Sequence, residues 1–222
     1  MSREVEGVLK AANVNPVAIL VTDGTNLQIA KGNSSGEIIF VPSTTVGEEP
    51  NSPTKVSANF TRPTDTNAYA IADAIANSTT GSAVVPMQFT AARAVGLTGM
   101  VIGAQCITDS ATAFGAIRLH LFNTTPFAAA GFQADNAALA LTYTALTTGS
   151  AGSSPNYIGY VDFTTFVAQS VSAVSIGQAD QTQMDFACAA ASQVIFGLLE
   201  ARAVFTPGNG QKFTVALDVV QG

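Results

Sequence analysis

The chain has 222 residues, 47% of them hydrophobic and only 11% charged, with a formal net charge of −6. That length admits one large all-β domain, or one domain with an appendage. The nine basic residues stand singly, with no Lys/Arg cluster, and an acidic balance repels a phosphate backbone, which argues against nucleic acid as a partner.

Residues 1–12 make either a short helical or an extended start. Met1-Ser-Arg-Glu-Val-Glu-Gly is charged, and no hydrophobic core of a signal peptide follows it. Val17–Thr22 is a continuous apolar run ended by Asp23-Gly24, and candidate strands follow at Asn26–Ala30 and Glu37–Val41. Asp23-Gly24 and the stretch Gly32 to Gly36 are hairpin punctuation, so the segment predicts a small meander that needs a partner surface. Pro42 to Thr54 holds three prolines among small polar residues. It reads as a linker, with a long sandwich loop as the other reading. The predicted division is an N-terminal arm or small β subdomain over 1–55 and a body over 56–222.

From Lys55 the pattern changes to longer strands. Val56, Ala58 and Phe60 alternate with Ser57, Asn59 and Thr61, and Pro63–Asn67 is a turn. Ala68–Ala74 is a short apolar segment and Asn77–Ser82 a loop. Val84–Thr90 presents Val85, Met87 and Phe89, with Pro86 placing it at an edge or bulge. Gly99–Thr108 is a strand containing Cys106.

Phe114–Phe122 carries the clearest signal. Ile117, Leu119 and Leu121 point one way, and Arg118, His120 and Phe122 the other. A helix would mix Arg118 and His120 into the apolar stripe. Thr124–Asn136 is a loop bearing Phe127 and Phe132, which either seat in a partner or cap the end of the body. Ala137–Ala145 is a strand or a helical turn, and Thr147–Asn156 a Gly/Ser-rich loop. Tyr157–Phe163 and Phe166–Ile176 are strand-like, Gly177–Thr182 a polar turn. Met184–Ala190, Gln193–Phe205 and Lys212–Val220 complete the chain. Pro207-Gly-Asn-Gly210 predicts a hairpin joining the last two. About eight to ten strands at even spacing predict an antiparallel β-sandwich.

No apolar run approaches the roughly 18 residues of a membrane helix. Cys106 and Cys188, both in apolar surroundings, read as buried free thiols. Asn-x-Ser/Thr triplets at Asn33, Asn59, Asn77 and Asn123 read as chance in a Thr/Ser-rich chain.

Candidate chemistry is sparse. His120 is the single histidine, and Arg118 beside it lowers its proton affinity. No Gly-rich phosphate loop accompanies it. Two cysteines and one histidine do not make a zinc set, and Asp65, Asp109, Asp135 and Asp162 lack calcium-loop spacing. The expectation is therefore a protein without cofactor or metal and not an enzyme. With charges far below the usual quarter of residues, Ala, Thr, Ser, Gly and Asn must cover its surface. Such a coat suits either a protein enclosed by neighbours in an assembly or an ordinary domain with a neutral skin.

Arg62-Pro-Thr-Asp-Thr-Asn-Ala-Tyr69, Arg118-Leu-His-Leu-Phe-Asn123, Ala134-Asp-Asn-Ala137 and Tyr157-Ile-Gly-Tyr-Val-Asp162 carry a resemblance. Over residues 57–222 the chain resembles small structural proteins of tailed-phage particles, among them capsid decoration (cement) proteins. The resemblance implies a jelly-roll-like sandwich, commonly a homotrimer, made in the host cytoplasm and bound to the virion surface. The implied partner is the major capsid protein, with neither nucleic acid nor membrane involved. The expected partner-binding residues are Val17, Ile19, Val21, Ile38 and Phe40 of the arm, with Phe127 and Phe132 of the loop. A tail, neck or head-fibre component that binds a host glycan, through Tyr157 or Tyr160, is the other expectation.

Overall fold

The computed structural model describes residues 19–22, 27–32, 38–39, 52–109, 115–125, 134–139, 141, 157–169, 175–179 and 183–222. The chain divides into two compact units, 1–49 and 50–222. It is all-β.

The first unit contains β1 (Ile19–Thr22), β2 (Leu27–Gly32) and β3 (Ile38–Ile39), paired antiparallel in that order. Leu20 stands opposite Ile29 and Lys31 opposite Ile39. Ile19, Val21 and Ile38 thus lie on strands of this meander. Val17, Phe40, Phe127 and Phe132 fall outside the described residues.

The second unit is an antiparallel β-sandwich. Its strands are β4 (Pro53–Thr61), β5 (Ala74–Ile75), β6 (Met87–Thr90), β7 (Thr98–Thr108), β8 (Ile117–Phe122), β9 (Tyr157–Ala168), β10 (Ser175–Ala179), β11 (Met184–Ala187), β12 (Val194–Ala201) and β13 (Lys212–Gln221). They follow the order β4-β13-β7-β10-β9-β8-β12-β5, with β11 beside β7 and β6 beside β12. The sheet folds over at β10, which pairs with β7 on one side and β9 on the other. One layer is β4-β13-β7 and the other β9-β8-β12.

Period-two alternation supplies the faces that meet. Val56, Ala58 and Phe60 of β4 turn inward, and Phe60 stacks on Phe213 of β13 with ring centroids 5.7 Å apart. Ile117, Leu119 and Leu121 of β8 are fully buried opposite Val101, Cys106, Val215 and Leu217 of the same core. Gly197 of β12 makes room for a close approach: a Cβ there would stand 2.9 Å from both Leu119 and Phe89. Cys106 and Cys188 are free and buried, and burial pushes both thiols up.

Several expectations are corrected. Pro207–Gly210 does not close a hairpin, since β12 pairs with β8, β5 and β6 while β13 pairs with β4 and β7. The turn instead docks on the end of β4: Gly210 N–H donates to the Pro63 carbonyl and Arg62 N–H to that of Gln211. Turn residues specify a reversal, but burial decides which strand the chain returns to. Val85 is exposed and Val84 buried, because a 3-10 turn over Gly81–Ala83 and Pro86 delay the strand to Met87. Tyr157–Phe163 and Phe166 belong to one long strand, β9, and Gly177–Ala179 extend β10 where a turn was expected. The second face of β8 is covered as well: Phe122 is fully buried and His120 only 4% exposed.

Candidate functional site

Two polar clusters and a cleft stand out among the described residues of the body. The first cluster joins motif residues distant in sequence. Arg62 follows β4 directly, and its side chain is fully buried. Its Nε donates to the Tyr69 hydroxyl at 2.7 Å, and its Nη2 to Asp135 Oδ2 at 2.8 Å and Asp65 Oδ1 at 3.1 Å. Its Nη1 donates to the carbonyls of Asp65 and Gly208. Asp135 Oδ1 accepts from the Tyr69 hydroxyl at 2.6 Å and from the Ala76 amide at 2.8 Å. Burial, and then the bond to Asp135, push the Tyr69 hydroxyl up, so it stays protonated. Every partner is engaged, so this cluster is a structural clamp rather than a reactive site.

The second cluster lies on the outer face of β9-β8-β12. Arg118 stands opposite Asp162 in the ladder. It forms a two-pronged pair with it, Nε to Oδ1 at 2.7 Å and Nη2 to Oδ2 at 2.8 Å. That bond is the main reason the Asp162 carboxyl lies below its ordinary value. The Arg118 guanidinium also covers the Tyr160 ring, 3.7 Å from its centroid. Beside this pair His120 bridges two strands: Nε2 meets Glu200 Oε2 at 2.8 Å and Nδ1 meets the Tyr157 hydroxyl at 3.0 Å. Glu200 Oε1 accepts from Arg202 Nη1 at 3.1 Å. Burial lowers the affinity of His120 for a proton; Glu200 opposes this, and Arg118 and Arg202 add to it. Burial likewise pushes the Tyr157 hydroxyl up to about 12.

Tyr157 reaches this face through a β-bulge. Leu121 pairs with Gly159, but Phe122 pairs with Tyr157, one residue out of step. Gly159 has φ of 154°, which a side chain rarely tolerates, and Met184 occupies the space a Cβ would need. The shift sends Ile158 to the core and Tyr157 outward. A glycine inside a strand pattern is the sequence signal for such a bulge.

A cleft of about 580 Å³ opens beside Tyr157. Its origin is topological. Gln105–Thr108 of β7 are linked to β9 through β10, but Thr98–Val101 pair with β11, and the opening residues of β9 pair with β8 instead. The layers part there. Thr98, Met100, Tyr157, Ile158, Asp185 and Phe186 are among the lining residues. Gly99 forms its floor, where a Cβ would stand 2.5 Å from the Phe186 ring.

Of the residues singled out in the sequence, Arg118, His120, Tyr157, Tyr160 and Asp162 come together. Asp65 and Asp135 join the clamp, while Asp109 accepts from the Lys212 amide away from both. Glu200 and Arg202 were not foreseen; Glu200 is an isolated acid in an otherwise apolar strand, a pattern that signals a buried partner. Among the described residues no group of three or more His, Cys, Asp or Glu could hold a metal ion. No helix among them is long and apolar enough to cross a membrane. No family model matches the chain, and no curated protein matches it.

Proposed function

We propose that the chain is a structural protein of a tailed-phage particle, in first place a capsid decoration (cement) protein that binds the major capsid protein. The observation that carries this reading is the surface chemistry of the body. Charges are few, and those of the described body include the mutually neutralised pairs Lys55–Asp218, Arg118–Asp162 and Glu200–Arg202. Large apolar side chains stand out in their place: Val95 is 58% exposed, Ile71 59% and Val204 70%. A neutral, partly apolar surface loses little hydration when covered, so docking gains apolar burial at about 25 cal/mol per Å² before association costs. Such contacts between capsomers resist loosening of the shell. The low charge also disfavours nucleic acid as the partner.

In this reading the body is a jelly-roll-like homotrimer and the N-terminal meander grips the shell. The test mixes the protein with expanded, undecorated heads and images the particles. Binding near symmetry axes is expected, and lost on deletion of residues 1–50; a body that binds without them overturns the arm's role. Absence of binding by the full chain overturns the reading.

One observation favours a second reading, a tail, neck or fibre part that holds a host glycan. Tyr160 is 51% exposed and is held beneath the Arg118 guanidinium, as a stacking platform for a sugar would be. A glycan-array signal abolished by Tyr160→Ala would establish it over the first.

A further inference from the structure

The cleft beside Tyr157 lies between two strand edges. β7 holds β13 along one edge and β11 along the other, so among the described strands the outer edge of β11 has no partner. Two hydrogen bonds fix the direction of its backbone groups. Cys188 N–H donates to the Leu97 carbonyl, toward β7, and Ala187 N–H donates the opposite way, to Asn123 Oδ1 at 3.4 Å. Alternation then turns the N–H and C=O of Asp185 outward with those of Ala187, and those of Phe186 toward Gly99. Asn123, Asp185 and Ala187 all line the cleft, so this edge faces into it. Across the cleft stands the start of β9. β10 takes up the other edge of β9 only from Phe163 onward, which leaves the residues before it joined to β8 alone.

Backbone donors and acceptors that recur every second residue, roughly 7 Å apart, are matched by another extended chain. A compact ligand meets one pair of them only. The side chains refine the match. Asp185 is exposed, and among the described residues no ion pair engages it. Phe186, on the opposite face of β11, is buried in the core against which Ile158 packs. We infer that the cleft takes an extended peptide segment of another polypeptide as an added strand on β11. Its residue opposite Asp185 is basic, since cross-strand neighbours share a face. The residues flanking that one are apolar, since alternation sends them to the side of Phe186.

The full isotope-labelled chain is titrated with the N-acetylated, C-amidated pentapeptide Thr-Val-Lys-Val-Thr. The amide signals of Asp185 and Ala187 are followed by NMR, and molecular size by sedimentation. Saturable binding that moves both amides is expected. N-methylation of the peptide's lysine, which removes its backbone N–H, should weaken binding about tenfold. Glutamate in place of that lysine should weaken it about two- to fivefold, and Asp185→Lys should reverse the preference. Asp185 is exposed, so the variant keeps the fold. The inference is overturned by no saturation up to about 10 mM, or by amides of Asp185 and Ala187 that do not respond. Undiminished binding of the N-methylated peptide, or a preference that Asp185→Lys leaves unchanged, overturns it as well. A protein that self-associates and binds the peptide only as it dissociates overturns it in favour of a second copy of the chain as occupant.

Discussion

Arg62 and Asp135 form an ion pair out of contact with water, and their stability value lies in completeness. A buried pair with all its hydrogen bonds made is close to neutral, but one partner left alone is costly. Asp135→Ala strands the Arg62 guanidinium and the Tyr69 hydroxyl, and should destabilise the body by about 3–5 kcal/mol in denaturant unfolding. Tyr69→Phe, which removes one hydroxyl and keeps the ring on Phe205, should cost about 1–3 kcal/mol. His120 sets an acid limit. Its proton affinity is lowered in the folded state, so below the ordinary histidine value of about 6.5 the unfolded chain binds the extra proton and stability falls. Asp162, held low by Arg118, adds a second loss only when pH drops below the ordinary aspartate value of about 3.9. Thermal unfolding followed from pH 7 to pH 5 should show a falling midpoint, and His120→Gln should flatten that slope.

At the level of elements, β8 is the strand that holds the outer layer together, with β9 on one side and β12 on the other. Gly197→Ala tests its packing on β12. The new methyl meets Leu119 and Phe89 at 2.9 Å and should cost about 1–3 kcal/mol through overpacking. The core face of β8 was legible in the sequence because Ile117, Leu119 and Leu121 alternate cleanly. Its other face was not. Alternation reports which side is apolar, but His120 is buried by Tyr157 and Glu200, 37 and 80 residues away. The same limit explains Pro207–Gly210, whose turn chemistry is local while the pairing of β13 is not. The bulge at Gly159 hid Tyr157 from the cluster, since strict parity would have sent it to the core.

At the scale of the whole molecule, among the described residues of the body ion pairs such as Lys55–Asp218 and Arg118–Asp162 neutralise charge at the surface, and large apolar side chains stand exposed beside them. Val95 stands on the loop that Gly96, at φ of 71°, turns back to Ser192; Val204 flanks the bridge of Tyr69 to Phe205. Val95→Glu and Val204→Glu place a charge where a particle contact would desolvate it. If these faces meet the capsid, at least one substitution should abolish decoration in a particle-binding assay while the unfolding midpoint of the free protein stays unchanged.

The ladder between β4 and β13 has a consequence for biosynthesis. Thr61 pairs with Lys212, so the strand that opens the body waits for one translated roughly 150 residues later. A ribosome emitting this chain at its usual pace of about 5–20 residues per second keeps the β4 edge open for many seconds. Any C-terminal truncation that removes β13 leaves that edge permanently bare. Such nascent fragments are the species on which a chaperone would act, and cross-pairing of bare β4 edges between neighbouring nascent chains would be their main hazard.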